Sequence, residues 1–379
     1  LRIAVFDYRV TATNPCGSCH LRMLRDLCGE HEFVVFATEF ENPCPGRIEF
    51  VRVPAPRRPL AVLFVAFHVL APLYYAWYRL RTRKRFDLVQ MVESNLLFGD
   101  IAYAHFCHRA YLSEHRQKAA GGGWLVQKLR FLDHWMHAVM EPWVFRRVRR
   151  IVTPSQGLAR ELKRYYPFAA DKILVVSNPV DLARMARPAD FDRAAFRASQ
   201  GLAPDDLALV FVALGHFERK GLPQLLSAMT ELHEPRLKLL IVGGSEQVQQ
   251  IYRRKCQELG LSAQVIFAGM QRDVRPYLWA ADAFTLPSFY ETFSLVAFEA
   301  AAAGLPLLVS PLYGVEEFLI NGENGFLIEP RTEAIHEGLQ RFTAAAPEVR
   351  AAVGRRAAMS LDRFDVDVFS NRWKQVYAG

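Results

Sequence analysis

Residues 206–310 carry the pattern that most narrows what this chain can fold into. Short, continuous apolar runs alternate with helix-like segments: LALVFVAL (207–214), LKLLIVGG (237–244), AQVIFAG (263–269), ADAFTL (281–286) and LPLLVS (305–310). Unbroken apolar runs suit strands covered on both faces, and their alternation with helices implies parallel sheets. Open parallel sheets bind ligands at the carboxyl ends of their strands. The segment after ADAFTL therefore draws attention. It places Glu291 in a turn, and Glu299 in an otherwise apolar helix from Leu295 to Ala303 that Gly304 and Pro306 stop. A carboxylate in such a helix is costly unless it is paired or meets a ligand. Two carboxylates over a helix N-terminus can accept hydrogen bonds from hydroxyls, while the N–H groups suit phosphate. Together they point to a sugar nucleotide. A capped helix with Glu299 paired to a cation is the plainer alternative.

The same alternation opens the chain. RIAVFD (2–7), VVFAT (34–38), IEFVRVP (48–54), RFDLVQM (85–91), IAYAHFCHRAY (101–111), RIVTPS (150–155) and KILVVSNPVD (172–181) read as strands, and a helix is expected from about Ser18 to Cys28. The polar segment 182–204, with Pro188 and Pro204, suits a connection. The 379 residues thus divide into two Rossmann-like α/β domains facing a central cleft, 1–181 and 182–361. A helix over 362–379 is expected to return to the first.

The net charge of +8 is concentrated in the first half, above all in RLRTRKR (79–85) and RRVRR (146–150). Nucleic acid and an anionic membrane surface are the two partners such patches suit. No recognition motif for nucleic acid accompanies them, so none is expected as a partner. Residues 59–78 hold no formal charge and are long enough to cross a bilayer. Pro72, basic residues on both flanks and the strand that follows argue instead for an interfacial helix, with Tyr74, Tyr75 and Trp77 at its surface. Burial as a packing helix, or an oligomer contact, is the alternative. A GGG break (121–123) precedes an aromatic helix through Trp124, Phe131, Trp135 and Trp143. Six scattered cysteines and a first strand at the start of the chain fit a cytoplasmic protein, peripheral on the inner face of the membrane through 59–85.

Other segments carry chemistry. In LGHFERKGL (214–222), Gly215 and Gly221 permit a tight turn, and Lys220 with Arg219 or His216 can face a diphosphate. Cys16-Gly17-Ser18-Cys19-His20 matches a haem-attachment pattern and a dithiol pattern. It falls in the first strand-to-helix turn, where Gly17 would let a ligand approach backbone N–H groups. No second ligand pair supports zinc there. On a strand, His105 and His108 would face opposite sides and share no metal. No metal site is expected.

GHFERKGL, LLIVGG, VIFAG, ADAFTLPSFYETFSLVAFEAAAAGLPLLVS and YGVEEFLINGENGFLIEP resemble the second domain of the retaining glycosyltransferases of family 4, which have the GT-B fold. The family's Glu-x7-Glu falls on Glu291 and Glu299. The first half resembles the family more loosely. The resemblance implies that Glu299 holds ribose hydroxyls and that Glu291 contacts the transferred sugar. Backbone N–H groups of Phe293, Ser294 and Leu295 would meet sugar and phosphate, and the backbone near Gly269 and Met270 would meet the base. Lys220, Arg219 and the turn at Gly215 would bind the diphosphate, and His105 would reach the donor sugar from the first domain. Gly17 would give way to phosphate or acceptor. Ser294 stands where the family usually has Gly, and the loop at Gly215–His216 is one residue shorter. The implied reaction moves a sugar, with retention and without metal or cofactor, from a UDP- or GDP-sugar to a glycan or lipid-linked acceptor. A sugar-nucleotide 2-epimerase and a non-catalytic nucleotide-sugar-binding protein are the alternatives.

Overall fold

The computed structural model describes residues 1–116 and 124–379. The GGG break at 121–123 lies outside the described residues. Two compact units emerge: residues 1–116, 124–179 and 367–379 form one, and 180–366 the other.

The first unit is built on a seven-stranded parallel sheet ordered β5-β3-β1-β6-β7-β8-β9. The strands are β1 (Arg2–Phe6), β3 (Glu32–Ala37), β5 (Ile48–Arg52), β6 (Leu88–Val92), β7 (Ile101–Tyr103), β8 (Arg150–Thr153) and β9 (Ile173–Val175). A short ribbon pairs β2 (Arg9–Val10) with β4 (Glu39–Phe40) beside it. Val5 lies opposite Val35 on one side and Gln90 on the other. The strand expected over 101–111 ends at Tyr103. Buried Glu141 accepts the backbone N–H of His108 at 2.8 Å, which caps a helix start there and turns the chain out of the sheet.

The first helix also departs from expectation. It spans Pro15–Leu27, so Gly17 is helical rather than in a turn. A Cβ on Gly17 would lie 2.6 Å from the Arg9 carbonyl oxygen and 2.9 Å from the Thr11 nitrogen. The missing side chain admits the chain's own backbone there. The helix Leu60–Thr82 extends past the apolar run and takes in Arg79 and Arg81. Its Phe64, Phe67, Ala71 and Tyr78 are buried, while Val62, Val65, Val69, Leu73 and Trp77 form an exposed stripe opposite. It is long and apolar enough to cross a membrane by length and composition.

The helix Val366–Ala378 packs into this unit. Trp373 is fully buried, and the Tyr377 hydroxyl donates to Gln90 Oε1 at 2.6 Å. The Gln90 amide donates to His20 Nε2 at 3.0 Å, which leaves His20 Nδ1–H for Asp7 at 2.9 Å. This buried chain of polar groups satisfies every member it links.

The second unit holds a six-stranded parallel sheet ordered β12-β11-β10-β13-β14-β15. The strands are β10 (Leu207–Val212), β11 (Leu237–Val242), β12 (Val265–Gly269), β13 (Ala283–Leu286), β14 (Leu307–Val309) and β15 (Phe326–Leu327). β10 to β12 build outward on one side and β13 to β15 on the other. The order therefore reverses between β10 and β13, which pair directly.

Candidate active site

A reversal of strand order splays the two following loops to opposite faces and opens a crevice between them. In the second unit those loops are 213–221 and 287–294, the two that carry most of the residues singled out from sequence. Gly221 fastens them together. Its φ is 76°, and a Cβ would sit 2.0 Å from the Pro287 carbonyl oxygen. Only glycine combines that conformation with so close an approach. The backbone N–H of Phe289 donates to the Arg219 carbonyl at 2.9 Å, and the Arg219 guanidinium donates to the Tyr290 carbonyl at 3.1 Å.

At this junction Lys220 Nζ lies 2.5 Å from Glu291 Oε1, with both side chains largely buried. The Ser288 hydroxyl donates to the same carboxylate oxygen at 3.0 Å. Burial alone would raise the Glu291 pKa, but Lys220 and Arg219 outweigh it and hold the carboxyl below its usual range. Burial lowers the Lys220 pKa against the opposing pull of Glu291. The result is an ionised carboxylate and a cation confined at the carboxyl end of a parallel sheet. The helix Leu222–Leu232 starts immediately after Gly221, so its N–H groups face the same crevice end.

The helix Leu295–Ala302 begins at Ser294, whose buried hydroxyl has no hydrogen-bond partner among the described residues. The Phe293 ring stacks on Phe298 at 4.3 Å, which fixes the backbone entering this helix. Glu299 lies in the second turn of the helix. Burial raises its pKa, the charge of Arg184 opposes this, and Asp273 adds to it. Gly215 has open space around its Cα, and Met270, just beyond β12, is 56% exposed.

His105 belongs to the first unit, two residues past β7. It is buried, its Nε2 has no partner among the described residues, and its ring lies 4.1 Å from that of Tyr103. Burial, aided by His20, pushes its pKa down to about 3, so it is a neutral imidazole at physiological pH. Two contributors escaped the sequence reading. Ser288 stands beside the key turn but differs in no way from an ordinary loop serine, and nothing in the 182–204 connection distinguishes Arg184.

Comparison with known proteins gives this geometry its context. The model of glycosyl transferases group 1 matches residues 192–359, and that of glycosyltransferase family 4 matches residues 21–184. The chain belongs to the family 4 glycosyltransferases. A D-inositol 3-phosphate glycosyltransferase of Streptomyces avermitilis is 32% identical over 245 residues, 60% of this chain and 51% of that protein. The chain spans about half the length of such curated relatives. Among solved structures, WaaG, a glycosyltransferase involved in lipopolysaccharide biosynthesis, matches with a TM-score of 0.77 at 18% identity, over 100% of both chains. Anabaena Alr3699/HepE in complex with UDP matches with a TM-score of 0.75 at 17% identity, also over 100% of both. These neighbours establish the GT-B fold for this family 4 member.

Proposed function

We propose that this family 4 protein is a retaining glycosyltransferase that moves a sugar from a nucleoside diphosphate sugar to a glycan or lipid-linked acceptor. The observation that carries the reading is the Lys220–Glu291 pair, held with Ser288 and Arg219 at the strand-order reversal. Lys220 and Arg219 supply positive charge for a leaving diphosphate without a metal, and two helix N-termini add to it. Glu291 accepts hydroxyls of the transferred sugar, and Glu299 holds the ribose. The backbone of Phe293, Ser294 and Leu295 takes sugar and phosphate, and that of Gly215 and Met270 lines the approach to diphosphate and base. His105, neutral at working pH, serves as a hydrogen-bonding group at the sugar and not as a cation. The bond from the anomeric carbon to phosphate oxygen breaks as the bond to the acceptor oxygen forms on the same face. The acceptor proton passes to the departing phosphate.

The donor is a UDP- or GDP-sugar; UDP in the HepE complex makes the uridine series the first to test. Thermal unfolding with UDP-, GDP- and ADP-sugars identifies it, since a ligand at a hundred times its Kd adds about 2.7 kcal/mol. Glu291→Gln and Lys220→Ala should then each cut transfer at least about tenfold, a lost charge contact being worth roughly 1.5–3 kcal/mol. Near-normal turnover in either variant would sink the reading. Product formed from donor alone would mark an epimerase, and a product of inverted anomeric configuration would overturn retention.

The acceptor side of the proposal rests on surface chemistry. The exposed stripe Val62, Val65, Val69, Leu73 and Trp77 runs into Arg79, Arg81, Arg83, Lys84 and Arg85. The helix Trp124–Arg147 also turns Trp124, Trp135 and Trp143 outward. An apolar face edged by arginines suits the interface of an anionic bilayer, where a lipid-linked acceptor resides. We therefore propose that the protein works as a peripheral protein on the cytoplasmic face of a membrane.

A further inference from the structure

Away from Lys220 and Glu291, the first unit buries an unusual amount of titratable chemistry. Its helix Trp124–Arg147 departs from the usual pattern: Trp124, Phe131, Trp135 and Trp143 point outward, while Asp133, His137 and Glu141, spaced one turn apart, are buried. A core-facing stripe is normally apolar. This one meets the carboxyl end of β6, next to β1, where the strand order of the first sheet also reverses. Open parallel sheets keep ligands at that position.

We infer that Glu93, His108 and His137 bind a divalent transition-metal ion of the zinc class. One ligand atom from each lies within 4.8 Å of the other two. Glu93 Oε2 and His108 Nε2 stand 2.9 Å apart. Four-coordinate zinc with bonds of about 2.1 Å spaces its ligand atoms by about 3.4 Å. An ion therefore asks for a small spreading of one pair and a small closing of the others. Two imidazoles and a carboxylate are a donor set that suits zinc and its first-row neighbours.

The groups behind the ligands point the same way. His137 Nδ1 is 2.8 Å from the Ser94 hydroxyl, which leaves its other ring nitrogen for an ion. His108 Nδ1 is 2.9 Å from His134 Nδ1, and its backbone is tied to Glu141. Ring nitrogens of metal-binding histidines are usually oriented by such partners. The His108 and His137 rings are stacked, 4.2 Å apart and 14° from parallel.

Three further observations distinguish a site from a self-contained ion pair. Glu93 holds a φ of 48°, a left-handed backbone that a non-glycine residue adopts at some cost and that clusters at ligand sites. Asp133 adds a second buried carboxylate on the same helix face, one turn from His137. The Tyr8 hydroxyl, close to Asp133 and Glu93, is buried with no hydrogen-bond partner among the described residues. A divalent ion balances two carboxylates, and a water in its fourth position would give Tyr8 a partner. The ion would pin β6, the start of the His108 helix and the Trp124–Arg147 helix together, holding the first unit's crevice in shape.

The test uses the full chain, stripped with chelator and reloaded with Zn2+ or Co2+. One ion per chain, a rise in Tm with Zn2+, and Co2+ ligand-field bands without a thiolate charge-transfer band are expected. Glu93→Gln, which preserves shape, and His137→Ala should each weaken binding at least about tenfold and abolish the Tm response, with circular dichroism unchanged. Failure of the wild type to retain an ion, wild-type binding in both variants, or a thiolate band reporting a cysteine site would each overturn the inference. Metal content is read without donor, so its outcome stands apart from that of the glycosyl-transfer proposal.

Discussion

Replacing Lys220 by methionine keeps an unbranched side chain, one atom shorter, and removes its charge. In the present structure Glu291 would then keep the Ser288 hydroxyl but lose its 2.5 Å ammonium partner, with only a tenth of its side chain exposed. Breaking a buried pair in this way costs about 3–5 kcal/mol, because the remaining charge has neither water nor a counter-ion. A unit of this size loses about 2–4 °C of Tm per kcal/mol, so calorimetry on the donor-free protein should show a drop of roughly 6–20 °C. Glu291→Gln should destabilise comparably, since it leaves Lys220 beside Arg219. The double variant removes both charges and should recover part of the loss, with a coupling energy of about 0.5–3 kcal/mol. Its transfer activity should not recover, because donor binding needs both groups. Two single variants within about 0.5 kcal/mol of wild type, with additive effects, would show that the pair is not buried as described.

Other outcomes follow from single positions. Gly17→Ala should lower the stability of the first unit without changing the KM for donor, because its Cβ meets the Arg9 and Thr11 backbone; a KM effect at unchanged Tm would restore a ligand role. His105 has a folded pKa of about 3 against 6.5 when free, so the unfolded chain takes up its proton first as pH falls. Its contribution is present above about pH 6.5 and is lost below it at about 1.4 kcal/mol per pH unit; His105→Gln should flatten the acid limb of a Tm-versus-pH curve, and an unchanged slope would argue against a neutral buried imidazole. Neutralising residues 79–85 should release the protein from anionic liposomes in a flotation assay, whereas undiminished flotation would count against a contact made through these residues. Trp373→Ala should cost about 3–5 kcal/mol, read as early unfolding of the first unit.

The strands were legible because apolar runs bounded by turns leave little choice, and Glu291 and Glu299 fell on loop and helix as their neighbours demanded. The partner of Glu291 was not legible. Lys220 reaches it through the pairing of β10 with β13, and strand order is a property of the whole sheet that no local run encodes. The strand expected through His108 failed because its end is set by the Glu141 carboxylate, a contact far along the chain. The same distance hid the convergence of Glu93, His108 and His137, since neither spacing matches a metal motif. Gly17 was expected in a turn and is helical, because a missing side chain says that something comes close without saying which backbone conformation brings it there.

The returning helix bears on how the chain is made. Trp373 and Tyr377 complete the core of a unit whose strands are all synthesised earlier, and they leave the ribosome only after the whole of residues 180–366. Through translation of residues 180–366 the earlier unit must persist with a vacant groove along Met23, Gln90 and Tyr103, or wait in the care of a chaperone. A premature stop ahead of Trp373 would therefore damage the unit formed by residues 1–116 and 124–179, although every strand of that unit had already been made.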